Sequence, residues 1–219
     1  MLFFRAILTC AVSLLVVSSA LGRQVTFETP DGGLIHADLY GETGRHGVVL
    51  AHGHGSDRSE WAGQAERLAA EGYAVLAIDF RGVGESRGGP MSRSLYLGGK
   101  FFDVLGGIQF LQENSDAQVI SVVGSRLGAS VVAYAATKMV DPGLLDSVIL
   151  VAPAPVRNPY AIPGRKLMML SSETPAFEEV RTQFDELRST KKLVVVGSIS
   201  EDLSLKSILS WLADDEPRG

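Results

Sequence analysis

The chain has 219 residues, 46% hydrophobic and 21% charged, enough for one domain with a substantial core and too short to favour a second. Twenty lysines and arginines against 25 aspartates and glutamates leave a net charge of -5. No basic run is longer than a pair such as Lys191-Lys192, so nucleic acid is not an expected partner.

The first residues, MLFFRAILTCAVSLLVVSSALGR, carry one positive charge at Arg5, an apolar run from Ala6 to Val17, and small residues at Ser18 to Ala20 and Gly22. This pattern predicts a signal peptide over 1–22, cleaved after Ala20 or Gly22, and a single domain over 23–219. The apolar run falls short of the roughly 20 residues that span a bilayer. The expectation is an exported protein, periplasmic or secreted, with no stable membrane span after cleavage; an uncleaved anchor is the rival reading. Cys10, the only cysteine, lies in this segment, so the mature chain is expected to carry no disulfide or cysteine metal site.

Gln24 to Thr29 and Leu34 to Tyr40 alternate apolar and polar residues around PDGG, the signature of a hairpin with one wet face. Six apolar runs follow, beginning at Val48, Ala74, Val119, Val148, Lys166 and Lys192, and they suit strands covered on both faces. Helical patterns lie between them at Ser59–Glu71, Leu95–Glu113, Leu127–Met139, Pro175–Ser189 and Leu203–Ala213. This alternation predicts an α/β fold, a doubly wound and mostly parallel sheet with antiparallel N-terminal strands. The stretch from Val156 to Arg165 is too short for a lid domain.

Three stretches, VVLAHGHGSDRSEW, YAVLAIDFRGVGESRG and VISVVGSRLGAS, together resemble the α/β-hydrolase superfamily, especially its small lidless branch near the dienelactone-hydrolase-like proteins. His52-Gly53 is similar to the family's HG motif, which implies an oxyanion-hole amide from His54 or Gly55. Asp79 to Ser86 resembles the family's DxRGxGxS loop, whose glycines permit backbone conformations closed to other residues.

That resemblance implies a serine at a sharp strand-to-helix elbow, an acid after a later strand and a histidine near the end. Each position is substituted. Gly124-Ser125-Arg126-Leu127-Gly128 puts Arg126 where the nucleophile belongs, and a guanidinium has no nucleophilic oxygen. The acid position falls on Thr174, with Glu173 beside it as a stand-in or as a solvated helix-entrance residue. The base position falls on Ser200, and no histidine follows His54.

The expectation is therefore a hydrolase-like protein without serine-hydrolase catalysis, a pseudoenzyme. Amides of Leu127 and of His54 or Gly55, with Arg126 beside them, form a candidate site for a small anionic ligand. Two alternatives stay open. Arg126 could bond internally to Glu173, Glu201 or Asp202 and leave a scaffold with an unknown protein partner, or Ser125 could act as a displaced nucleophile in a weak esterase or peptidase. His52-Gly53-His54 lacks the accompanying ligands of a metal centre, and no dinucleotide or phosphate-loop fingerprint is present, so neither metal nor cofactor is expected.

Overall fold

Eight strands form one sheet in the order β1-β2-β4-β3-β5-β6-β7-β8. The computed structural model describes residues 22–89 and 95–214; the expected signal segment, apart from Gly22, lies outside them. β1 (Arg23–Glu28) and β2 (Leu34–Tyr40) pair antiparallel, and β2 runs antiparallel to β4 (Ala74–Ile78). The remaining pairs, through β3 (His46–Ala51), β5 (Val119–Ser125), β6 (Leu145–Val151), β7 (Arg165–Ser171) and β8 (Lys191–Val196), are parallel.

The residue patterns account for this layering. β2 alternates buried and part-exposed residues, as a strand with one wet face must, whereas β4 and β6 are buried at every position. Two apolar layers cover the sheet. On one face α2 (Phe101–Asn114), α3 (Leu127–Ala136) and α4 (Phe177–Glu186) bury Val104, Leu111, Val131 and Val180. On the other, α1 (Ala62–Ala70) and α5 (Glu201–Ala213) bury Leu68, Ile208 and Trp211. Each such aliphatic side chain contributes about 1.5–3 kcal/mol on burial.

The helix expected over Leu95–Glu113 begins late. Leu97, Gly98 and Gly99 all have positive φ, so a tight turn at Tyr96–Gly99 precedes α2. The Gly98-Gly99 pair explains the delay, because glycine weakens a helix and readily adopts left-handed backbone. After β6 the chain reaches β7 through one short 3-10 turn at Pro159–Ala161, leaving the carboxyl end of the sheet without a lid.

Candidate functional site

The site grows from the end of β5. Arg126 has φ 48° and ψ -111°, a conformation costing a non-glycine residue roughly 1–3 kcal/mol. Close packing holds the turn. A Cβ on Gly124 would collide with the backbone of Gly128, and one on Gly128 with the carbonyls of Ala51 and His52. The Arg126 amide donates to Val151 O at 2.9 Å, tying the elbow to β6. Both glycines of the GxSxG frame thus keep their packing role around a residue that cannot be a nucleophile.

Glu60 organises the polar side of this elbow. It sits in a 3-10 turn, Arg58–Trp61, capped by Asp57, whose carboxylate accepts from the Ser59 amide. Arg58 fastens the turn to the sheet: its amide and guanidinium donate to Asp79, the first residue of the DxRGxGxS loop, and its Nε lies 2.9 Å from Asp38. So placed, Glu60 accepts from Ser125 Oγ at 2.5 Å, from the Gly53 amide at 3.0 Å and from Arg126 Nη2 at 3.1 Å. Burial pushes its pKa upward, but the bonds from Ser125 and Gly53, the Arg126 charge and a bond from Ser56 outweigh that and hold the carboxyl below its usual range.

Arg126 therefore pairs with Glu60, and not with Glu173, Glu201 or Asp202. Its side chain remains 56% exposed. Glu173 is exposed, and its amide donates to Ser171 Oγ. Thr174 lies at the wall of the apolar cavity described below. Ser200 Oγ accepts from the Leu203 amide, so the serine expected at the base position caps α5. Ser125 is 4% exposed, with its proton directed at a carboxylate that is a weaker base than usual.

The histidines also have assignable roles. His52 is buried; the Phe80 amide donates to its Nε2, which fixes the neutral tautomer with a proton on Nδ1, facing Gly53 O at 2.8 Å. Both ring nitrogens are thereby committed. His54 and Gly55 are exposed in the turn beyond it.

Two cavities meet at Arg126. One, of about 320 Å³, is the more polar of the two and includes Glu60, Ser125, Ser200 and Glu201 beside Trp61 and Ile199. The other, of about 500 Å³, is mostly apolar and includes Leu97, Leu127, Pro153 and Ala176. Leu127 opens α3, where the first amides lack intrahelical acceptors and favour negative charge.

A separate serine, histidine and acid cluster lies at the amino ends of the strands. His46 Nε2 is 2.8 Å from Ser121 Oγ and 4.0 Å from Asp146, while Arg165 donates to Asp146 at 2.8 Å. Burial raises the Asp146 pKa, but bonds from Arg165 and Ser147 and the charges of Arg165 and His46 bring it below its ordinary value. Serine and acid face the same ring nitrogen, so the acid does not orient the imidazole from Nδ1 as a triad requires. Ser121 is also wholly buried. These contacts bind β3, β5, β6 and β7 together.

Sequence reasoning missed Glu60 as the centre of the site. The segment SDRSEW contained it, but nothing local links position 60 to position 126.

The family model described as serine aminopeptidase, S33, matches residues 43–197. No curated protein matches the chain at a significant level. Among solved structures, the Pyrococcus furiosus esterase Pf2001 superposes with a TM-score of 0.67 at 19% identity, covering 87% of this chain and 88% of that one. A dienelactone hydrolase from Anabaena variabilis gives 0.67 at 19% identity, with 88% and 95% covered. DcsB, solved with its substrate analogue, gives 0.73 at 15% identity, with 89% and 100% covered.

Proposed function

We propose that this chain, which belongs to the serine aminopeptidase S33 family of α/β hydrolases, is an exported member that binds a small anion at the old elbow and does not hydrolyse esters or peptides. One observation carries the reading: the elbow presents a half-exposed guanidinium, and the neighbouring serine is held by Glu60. Acyl transfer needs a nucleophile and a base that can take its proton. Arg126 supplies neither, and Ser200, bonded to its own helix, stands where the base would be.

The choice between ligand site and internal plug rests on magnitude. A salt bridge with one partner more than half exposed stabilises by under about 1 kcal/mol. Only Nη2 of Arg126 bonds to Glu60 among the described residues, which leaves most of the donor fork for a ligand. A scaffold plug would be buried and more fully bonded.

A second reading has one observation in its favour, the 2.5 Å contact of Ser125 with Glu60, which resembles a serine with a carboxylate base. The depressed pKa of Glu60 argues against efficient deprotonation. Labelling with a fluorophosphonate probe and assay on short-chain activated esters separate the two. No labelling is expected; stoichiometric labelling lost in Ser125→Ala would establish the enzyme reading. Thermal-shift measurements against phosphate, sulfate, acetate and citrate test binding. Stabilisation in wild type that disappears in Arg126→Ala is expected, and no response to any anion would defeat the binding role.

A further inference from the structure

We propose that the apolar cavity beside Arg126 receives the hydrocarbon body of a small carboxylic acid, whose carboxylate sits on the Arg126 guanidinium. This rests on the anion-binding reading and narrows it to one ligand class.

The cavity, about 500 Å³, falls within the ~300–1,000 Å³ typical of small-molecule sites. Tyr96, Leu97, Leu127, Pro153, Pro155 and Ala176 give it apolar walls, and among the described residues Arg126 is the one charged residue in its lining. A cation at the edge of an apolar chamber selects a ligand with one negative end and one oily end. The planar fork of the guanidinium matches the two oxygens of a carboxylate. A second cation, Arg157, stacks over the Tyr96 ring at 4.5 Å and adds to the positive potential on this side.

The cavity on the other side of Arg126 sets the orientation. It contains Glu60 and Glu201, which repel an anion, so the carboxylate stays at Arg126 and the tail turns to the apolar side. Backbone strain gathers at the same place. Of the five non-glycine residues with positive φ among the described residues, three, Leu97, Arg126 and Ala152, line this cavity. Strain of this kind persists where packing imposes it, and it clusters at ligand sites.

Isothermal titration of the purified protein with acetate, butyrate, hexanoate and octanoate tests the proposal. Binding should tighten by roughly fourfold for each added methylene until the chamber is full. Octanamide has the same tail without the charge, and it should bind at least about tenfold more weakly than octanoate, as expected for loss of a charge-assisted contact. Arg126→Ala should weaken octanoate to the level of octanamide and leave octanamide unchanged. Ala154→Trp, at the cavity rim, should weaken octanoate more than acetate. Equal, Arg126-dependent affinities for acetate and octanoate would overturn the cavity assignment and leave the anion site standing. Octanoate binding indifferent to Arg126→Ala, or octanamide binding as well as octanoate to wild type, would overturn the proposal. Absence of binding by every carboxylate would overturn both it and the reading on which it rests.

Discussion

The guanidinium of Arg126 lies against the α-carbon of Gly53, so close that a Cβ there would stand 2.5 Å from both Nε and Nη2. The glycine of the HG motif thus gives room to the arginine at the elbow. Because the clash falls on the far end of a flexible, half-exposed side chain, Gly53→Ala is expected to swing the guanidinium away at little cost. Chemical denaturation should show a loss within about 1 kcal/mol, while the anion-induced thermal shift falls to the level of Arg126→Ala.

Glu60 should prove more important to stability than its position in a loop suggests. Glu60→Ala leaves Ser125 Oγ and the Gly53 amide without their acceptor, and a cost of about 1–3 kcal/mol is expected. The pH dependence has a definite sign. The folded pKa lies below the ordinary value of 4.5, so the stabilisation is present above that value and is lost as pH falls through the folded pKa. Urea melts should therefore show the advantage of wild type over Glu60→Gln at pH 7 shrinking in acid; an advantage that grows in acid would refute this account.

Restoring the family residues one at a time should fail. Arg126→Ser supplies a hydroxyl at the strained elbow position without a base, and Ser200→His supplies an imidazole without a nucleophile. Neither single variant should turn over activated esters above background, because triad members act as a unit. Any measurable turnover is expected only when both changes are combined, and steady-state assay of the three variants against wild type checks this.

Lys166 gives a second pH signature. It is fully buried at the start of β7, with Nζ on the Arg188 carbonyl. Burial, with a smaller contribution from the nearby Lys191, brings its pKa from 10.5 down to about 8. Between these values the unfolded chain binds the extra proton, so stability should rise with pH from about 8 to 10.5 and level off above, by no more than about 3 kcal/mol. Lys166→Met should remove this rise from a series of denaturation curves.

If the protein is exported as proposed, its mature form begins near Leu21 or Arg23, because the small residues Ala20 and Gly22 follow the apolar run. N-terminal sequencing of protein recovered from the cell envelope or medium should find one of these residues first. Recovery of chain with an intact Met1 from the cytosol would rule export out.

The strands, their order of appearance and both turn motifs were legible in the residues, because continuous apolar runs and glycine positions act locally. The DxRGxGxS loop is an example: Gly82 and Gly84 have φ of 84° and 54°, and Ser86 accepts from the His36 amide. Arg126 at the elbow and the lack of a late histidine were equally legible, since they are matters of which side chain stands at a counted position. Where the Arg126 charge goes was not. Its partner is 66 residues away, in a turn held by Arg58 against Asp38 and Asp79, and the glutamate beside the old acid position instead faces solvent. Such pairings depend on the path of a loop across the end of the sheet, and that path is set by several long-range contacts at once. The committed tautomer of His52, the left-handed turn at Leu97 and the apolar chamber beside Arg126 have the same origin. The sequence alone determined the sheet, the arginine in the Gly124–Gly128 frame and the lack of any histidine after His54, because burial pattern and side-chain chemistry belong to each residue. Only the tertiary structure decided the charge balance and the shape of the site, because those belong to residues brought together by folding.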